Sequence, residues 1–212
     1  MTARTGEFQA SLLDDVDEIR LRPLPGAVDR IVLGEGAWLD VRRGWVSGAD
    51  SLFDRLLPCV PWRAERRVMY DRTVDVPRLL CFYDEGECLP LPLLEEARDA
   101  LGCHYAPELG EPFRTAGLCL YRDGRDSVAY HGDRIGRSRT EDTMVAILSL
   151  GAPRALCLRP RGGGASRRYE VGHGDLLVMG GSCQRTWEHG VPKTARPCSP
   201  RISVQFRPHG VR

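Results

Sequence analysis

Short runs of apolar residues, separated by turn signals, dominate the chain after about residue 113. Each run has the length of a single β-strand, and Gly or Asp-Gly follows several of them. The runs cover residues 118–121, 128–131, 144–150, 155–158, 168–171, 176–179, 186–189 and 202–206. Many short strands at close spacing predict a β-sandwich or β-barrel in this half of the chain.

Two segments of the first half have helical spacing instead. Residues 49–58 repeat apolar side chains on one helical face before a proline. Residues 91–101 show the same spacing, and Gly102 follows them as a stop signal. We therefore expect a mixed α/β part over residues 1–112 and an all-β core over residues 113–212, packed as one compact unit.

Composition permits a globular core and gives no global attraction to nucleic acid. The chain has 212 residues, of which 42% are hydrophobic, and a formal net charge of +1. No stretch is apolar enough and long enough to span a membrane, and the first residues have no secretory pattern. The eight cysteines contain no CxxC pair, so a zinc finger is disfavoured. We expect a cytoplasmic monomer without membrane contact, because buried thiols suit a reducing compartment.

One run ends in a histidine and an acidic residue two positions apart, His131 and Asp133. Side chains alternate along a strand, so both point to one side and can hold one metal ion. His189 ends another run, 56 residues after Asp133, which leaves room for about four intervening strands. Two histidines and one carboxylate with open positions are typical of non-haem Fe(II) oxygenases. His173 is an alternative distal ligand, although its surroundings, Gly-His-Gly-Asp, favour a hairpin turn.

The last apolar run carries polar residues at every second position. Arg201, Ser203, Gln205 and Arg207 alternate with apolar residues, so they share one face of the strand. Iron oxygenases of this type usually take two electrons from 2-oxoglutarate, a dicarboxylate whose far end needs a buried cation. Arginine binds a carboxylate with two parallel N–H groups, which makes this face a candidate cosubstrate site. Without the histidines, an ordinary half-exposed strand would explain the pattern equally well.

Taken together, these segments resemble the AlkB family of Fe(II)- and 2-oxoglutarate-dependent dioxygenases, which remove alkyl groups from nucleobases. The resemblance covers about residues 61–207, and the order and spacing of the pieces match as well as their letters. The matching pieces are Val76-Pro77-Arg78 with the following LLCFYDEG, then residues 120–133, 144–160, 172–181, 186–193 and 200–207.

The resemblance implies an α+β protein with a double-stranded β-helix (jelly-roll) catalytic core. An N-terminal α/β segment would form a lid that recognises the substrate. His131, Asp133 and His189 would bind Fe(II). Tyr121 would hydrogen-bond the cosubstrate 2-oxoglutarate.

Two arginines of the last strand have implied roles as well. Arg201 would pair with the distal carboxylate of 2-oxoglutarate, and Arg207 would line the same pocket near the substrate. The implied reaction consumes O2 and oxidatively removes alkyl groups from damaged bases of DNA, with RNA as an alternative. The base would be single-stranded or flipped out of the duplex.

Four residues are candidates for contact with the substrate. The aromatic residues Trp62, Tyr70 and Tyr83 could stack on the base, and core packing explains each of them equally well. Arg134 follows the metal motif directly, where many family members carry an acidic residue that reads the damaged base.

Two departures from the family pattern affect substrate and cosubstrate. Arg134 and Ile135 stand at the base-reading position, which puts the identity of the substrate in doubt. Cys119 stands where the family commonly has the asparagine of Asn-x-Tyr, so one cosubstrate hydrogen bond would be missing or supplied elsewhere. The same iron chemistry on tRNA, a protein or a small molecule is therefore an alternative function. A non-catalytic nucleic-acid-binding domain is a second alternative, which the four polar site residues disfavour.

Overall fold

The computed structural model describes residues 18–69, 72–133 and 140–211, in which the chain forms fourteen strands and three helices. The strands are β1 (Arg20–Leu21), β2 (Asp29–Gly34), β3 (Ala37–Arg42), β4 (Val46–Ser47), β5 (Arg63–Met69), β6 (Arg72–Tyr83), β7 (Thr115–Tyr121), β8 (Val128–His131), β9 (Val145–Gly151), β10 (Arg154–Pro160), β11 (Arg167–Val171), β12 (Asp175–Gly181), β13 (Trp187–Val191) and β14 (Arg201–Arg207). The helices are α1 (Ala49–Cys59), α2 (Pro92–Leu109) and α3 (Cys183–Thr186). None of these helices is long and apolar enough to cross a membrane.

Two antiparallel sheets pack face to face and form the predicted jelly roll. The larger sheet has the order β2-β3-β12-β9-β14-β7-β6-β5, and the smaller has the order β11-β10-β13-β8. From β7 onward, the chain passes repeatedly from one sheet to the other. The eight apolar runs of the second half lie wholly or mostly in strands of these two sheets, which confirms the predicted jelly-roll core. Helix α3 interrupts the predicted all-β half.

The central strands of the larger sheet are buried on both faces. One face packs against the smaller sheet through a cluster that includes Ile147 and Leu158. The opposite face packs against α1 and α2, where Leu52 and Leu94 are fully buried. Strands covered on both sides need apolar residues at nearly every position, which explains the continuous runs in β7, β9 and β12. Removing one such leucine side chain would cost about 2–5 kcal/mol of stability.

Helix α2 runs further than its sequence pattern predicted. The expected stop at Gly102 is wrong: the helix continues to Leu109 and ends at Gly110, whose φ of 73° is left-handed. The extra turns bury Tyr105 completely, and its hydroxyl donates a hydrogen bond to Oδ2 of Asp40 at 3.0 Å. These contacts offset the cost of about 1 kcal/mol that glycine carries inside a helix.

Most of the described part of the arginine-rich stretch lies in β5, Arg63–Met69. Strands β5 and β6 pair antiparallel and extend one edge of the larger sheet. Charged residues on an edge strand discourage pairing with another chain. They also interrupt the apolar pattern by which strands are predicted from sequence. Strands from both sides of residue 113 therefore share one sheet, and the separate role of residues 1–112 as a lid stays a prediction.

Candidate metal centre

A cavity lies between the two sheets. The polar face of β14 forms its floor, because Arg201, Ser203, Gln205 and Arg207 all line it. Neighbouring β7 contributes Tyr121, which pairs in register with Arg201. The predicted alternation along β14 thus places its polar residues together inside the fold.

The two candidate histidine ligands come from neighbouring strands of the smaller sheet. His131 on β8 and His189 on β13 are paired in register, so both side chains lie on the same side of that sheet. Their ring centroids are 4.3 Å apart. His131 is the exposed member of the pair, whereas His189 is buried.

Asp133 completes a cluster that fits a metal ion. One ligand atom from each of His131, Asp133 and His189 lies within 4.8 Å of the others. Nδ1 of His131 lies 2.8 Å from the carbonyl oxygen of Ala129, so this nitrogen carries the proton and Nε2 is left for a metal. Nε2 of His131 is 3.3 Å from Oδ1 of Asp133. Two imidazole nitrogens and one carboxylate oxygen are the donor set expected for Fe(II).

The carboxylate of Asp133 is held in place by two further residues. Nε of Arg207 donates to Oδ2 at 2.8 Å, and Nη2 lies 2.7 Å from the same oxygen. The main-chain N–H of Asp133 donates to Oε1 of Gln184 at 3.0 Å. Burial raises the pKa of Asp133, but the charge of Arg207 outweighs burial and holds the pKa well below its usual range. The carboxylate is therefore ionised, as a metal ligand must be.

Gln184 was not found by sequence analysis. It lies on the single-turn helix α3, just before the strand that carries His189, and its side chain is almost completely buried. No periodic pattern precedes it, so only the three-dimensional packing reveals its contact with Asp133.

His189 is held in the form that binds metals. Burial is the main cause that lowers its pKa to about 3, and the nearby His131 lowers it further. The imidazole of His189 is therefore neutral near pH 7, which leaves a nitrogen lone pair for a metal ion.

Arg201 is a buried cation whose hydrogen bonds are incomplete. Its Nε donates to Oγ of Ser149 at 2.9 Å, while its buried Nη1 has no partner among the described residues. Burial lowers the pKa of this guanidinium. An unpaired buried N–H normally costs about 1–3 kcal/mol, which a carboxylate bound in the cavity would remove.

Tyr121 lies beside Arg201, with the guanidinium 5.2 Å from its ring centre. Burial raises the pKa of Tyr121 to about 12, so its hydroxyl stays protonated. The side chain can therefore donate a hydrogen bond to an anion in the cavity.

The candidate substrate contacts lie elsewhere or outside the described residues. Trp62 and Tyr83 pack against the core on the helix side of the larger sheet, and Nε1 of Trp62 donates to the carbonyl of Leu57 at 2.9 Å. Neither lines the cavity. Tyr70 and Arg134 lie outside the described residues, so their roles stay predictions.

Phe82 is an aromatic residue that sequence analysis overlooked. It pairs with Gly117, which pairs with Gln205, so these three positions share the cavity face of the sheet. Phe82 is 36% exposed, a large value for this apolar side chain. Counting in twos from Arg78 along β6 would have placed Phe82, rather than Tyr83, on the cavity side.

His173 is not part of the centre. Its Nδ1 accepts a hydrogen bond from the main-chain N–H of Gly151 at 2.7 Å, and Nε2 lies 3.2 Å from Oδ1 of Asp50. This agrees with the turn predicted around His173.

Comparisons with known proteins point to one family. A sequence model of the 2OG-Fe(II) oxygenase superfamily matches residues 83–207, more than half of the chain. The chain is 30% identical over 213 residues to "Alpha-ketoglutarate-dependent dioxygenase alkB homolog 3" of Homo sapiens, which covers 92% of this chain and 70% of that protein. It is 31% identical over 125 residues to "DNA oxidative demethylase ALKBH2" of Homo sapiens, covering 55% of this chain and 46% of that protein.

The fold also has solved counterparts. The structure of OsALKBH1 superposes with a TM-score of 0.56 at 13% identity and covers 85% of this chain and all of that one. A 2OG-Fe(II) oxygenase family protein from Burkholderia pseudomallei superposes with a TM-score of 0.51 at 16% identity, covering 76% of this chain and 79% of that one. These two likenesses concern the fold alone. The family match and the alkB homolog relatives show that the chain belongs to the AlkB family of the 2OG-Fe(II) oxygenase superfamily.

Proposed function

We propose that this protein is an Fe(II)- and 2-oxoglutarate-dependent dioxygenase that oxidatively removes alkyl groups from nucleobases of DNA or RNA. One observation carries the proposal: the cluster of His131, Asp133 and His189 opens into the same cavity as the buried, incompletely paired Arg201. A binding module needs neither a metal cluster nor a buried cation in that arrangement. The relatives named as dioxygenases and as DNA oxidative demethylases support the reaction type.

The protein's part in the reaction is to position the reactants. His131, Asp133 and His189 would hold Fe(II) by three positions on one side and leave the others for ligands. Bound iron would supply the oxidation of the alkyl group, driven by the conversion of 2-oxoglutarate and O2 to succinate and carbon dioxide. The apolar side chains in the cavity wall, such as Ile147 and Leu156, would limit the access of water.

The cosubstrate would lie between the metal and Arg201. The two parallel N–H groups of a guanidinium suit the distal carboxylate of 2-oxoglutarate. This carboxylate would give Nη1 of Arg201 the partner that it lacks, while the hydroxyl of Tyr121 would donate a further hydrogen bond. Arg207 binds the carboxylate of Asp133, so it would influence the cosubstrate indirectly, by holding this metal ligand in place.

The substrate base would enter over His131, the most exposed member of the cluster. A base must leave the stack before an enzyme can reach its alkyl group, which favours single-stranded or damaged sites. Phe82 lies on the cavity side and is partly exposed, so it offers an aromatic surface near the mouth. We further propose that the protein acts in the cytoplasm, because none of its eight cysteines lies in a disulfide. We also propose that it acts as a monomer.

A panel of alkylated oligonucleotides tests this function. Protein purified without oxygen would be incubated with Fe(II), 2-oxoglutarate and O2, and with single- and double-stranded DNA and RNA carrying one N-alkylated base each. Mass spectrometry is expected to show loss of the alkyl group on at least one oligonucleotide, and no loss with His131→Ala. Conversion of 2-oxoglutarate without dealkylation of any oligonucleotide would favour a small-molecule, tRNA or protein substrate instead.

A further inference from the structure

Gln205 makes two contacts with the arginine that holds the metal-binding carboxylate. Its Oε1 accepts a hydrogen bond from Nη2 of Arg207 at 3.0 Å, and its main-chain oxygen lies 3.4 Å from Nη1. The same guanidinium donates from Nε to Oδ2 of Asp133 at 2.8 Å. The side chain and the main chain of Gln205 therefore fix the plane in which Arg207 meets Asp133.

The other end of the Gln205 carboxamide is anchored as well. Its Nε2 donates to Oγ of Ser203 at 3.0 Å and lies 3.3 Å from Sγ of Cys119. A guanidinium can only donate hydrogen bonds, so the carboxamide must turn its oxygen toward Arg207 and its nitrogen toward the other two groups. Cys119 stands where the family commonly has asparagine. Here the side-chain carboxamide next to Cys119 belongs to Gln205 on β14.

Gly117 leaves the space in which this contact forms. A Cβ atom on Gly117 would lie 2.9 Å from Nη1 of Arg207 and 3.5 Å from Oε1 of Gln205. The first distance is too short for a stable contact, so any side chain at position 117 would push the guanidinium away from its present place.

We propose that Gln205 is a positioning residue for the metal-binding carboxylate. By holding the guanidinium of Arg207, Gln205 keeps Oδ2 of Asp133 occupied and Oδ1 turned toward the histidines. An unrestrained guanidinium could swing across to Oδ1 and compete with the metal ion. This inference rests on the proposed function, because Asp133 is a ligand only if the cluster binds iron.

Metal binding without turnover tests the role of Gln205. The probe is Mn(II), which resists oxidation by air, and its dissociation constant would be measured in the absence of 2-oxoglutarate for the wild type, Gln205→Leu and Gln205→Glu. Gln205→Leu is expected to bind Mn(II) about 3- to 10-fold more weakly, below the loss of about 10- to 100-fold typical of residues that touch a ligand directly. Gln205→Glu keeps an acceptor for Arg207 and is expected to restore most of the affinity.

Ser47→Ala is the control for the loss of a side-chain hydrogen bond away from the cavity. Its Oγ donates to the main-chain oxygen of Arg20 at 3.3 Å, so its Mn(II) affinity should equal that of the wild type. Melting curves of the metal-free variants would show that each one folds. Unchanged Mn(II) affinity in Gln205→Leu would overturn the proposal, and a raised KM for 2-oxoglutarate in that variant would then make Gln205 a cosubstrate contact. Absence of dealkylation by the wild type would contradict the proposed function alone, because Mn(II) binding is measured without turnover.

Discussion

Oδ2 of Asp133 lies 2.8 Å from Nε and 2.7 Å from Nη2 of Arg207, whereas Oδ1 faces Nε2 of His131 at 3.3 Å. One carboxylate oxygen is thus neutralised by a fixed cation and the other is presented to the histidines. The asymmetry favours a carboxylate that would bind a metal through a single oxygen.

Arg207→Met should destabilise the metal-free protein. The change leaves the buried carboxylate of Asp133 without its counterion, which costs about 3–5 kcal/mol. Thermal unfolding would measure the loss, and Mn(II) should stabilise the variant more than the wild type because the added cation replaces the lost one. Arg159→Gln is the control: it breaks an ion pair with Glu188 that is 43% exposed on the arginine side, which is worth about 0–1 kcal/mol. Equal melting temperatures for the two variants would contradict the role given to Arg207.

Arg201→Met should abolish the binding of 2-oxoglutarate without lowering the stability of the ligand-free protein. Replacing a buried, incompletely paired cation with an apolar side chain is often neutral or stabilising by about 1–4 kcal/mol, so the ligand-free variant should be at least as stable as the wild type. Stabilisation by 2-oxoglutarate, about 2.7 kcal/mol at a hundredfold excess over the dissociation constant, should disappear. Arg201→Lys keeps the charge but loses the paired N–H groups, so it should bind 2-oxoglutarate with intermediate affinity. Thermal shifts with and without 2-oxoglutarate measure both effects, and an undiminished shift in Arg201→Met would exclude Arg201 as the anchor.

Gly132→Ala should disturb the metal cluster while keeping all three ligands. A Cβ atom on Gly132 would lie 2.6 Å from the carbonyl oxygen of Gln184 and 2.8 Å from Nη2 of Arg161. The main chain near Asp133 must then move, at a cost of about 1–3 kcal/mol. We expect weaker Mn(II) binding by equilibrium dialysis, and an unchanged dissociation constant would show that the contact is relieved without moving Asp133.

Two glycines of α2 should respond to alanine in opposite directions. Nothing lies within 4 Å of a Cβ atom on Gly102, which sits inside the helix, so Gly102→Ala should stabilise the protein by about 0.5–1 kcal/mol. Gly110 ends the helix at a φ of 73°, so Gly110→Ala should destabilise it by about 1–2 kcal/mol. Chemical denaturation measures both values, and a loss of stability in Gly102→Ala would place the helix end where the sequence pattern suggested.

The sequence was most informative where polar and apolar residues alternate along a buried strand. The alternation along β14 correctly predicted that Arg201 and Arg207 share a face. The spacing of His131 and Asp133 predicted that both could hold one metal ion, although β8 ends at His131 and Asp133 lies just after it. The pairing of His131 with His189 could not be read from spacing, because it depends on which strands become neighbours in the smaller sheet.

Other features lay beyond local patterns. In the sequence, Gly102 indicates the end of a helix. The helix continues because Tyr105 is buried and donates a hydrogen bond to Asp40, a contact that the local sequence does not reveal. No local sequence pattern indicates the role of Gln184, because the residue that it contacts, Asp133, lies 51 positions away in the chain. Sequence analysis chose Tyr83 as the stacking candidate and missed its neighbour Phe82. The alternation of side chains along β6 would have placed Phe82 on the cavity side.

The central claim is that one cavity couples 2-oxoglutarate conversion to removal of an alkyl group from a nucleobase. The most direct measurement counts succinate and dealkylated base in the same reaction, with Fe(II), O2 and an alkylated single-stranded oligonucleotide. We predict that the two products appear in equal amounts in the wild type and that both vanish in His131→Ala. Succinate formation that continues in His131→Ala, or that is unaffected by the oligonucleotide and yields no dealkylated base, would contradict the account.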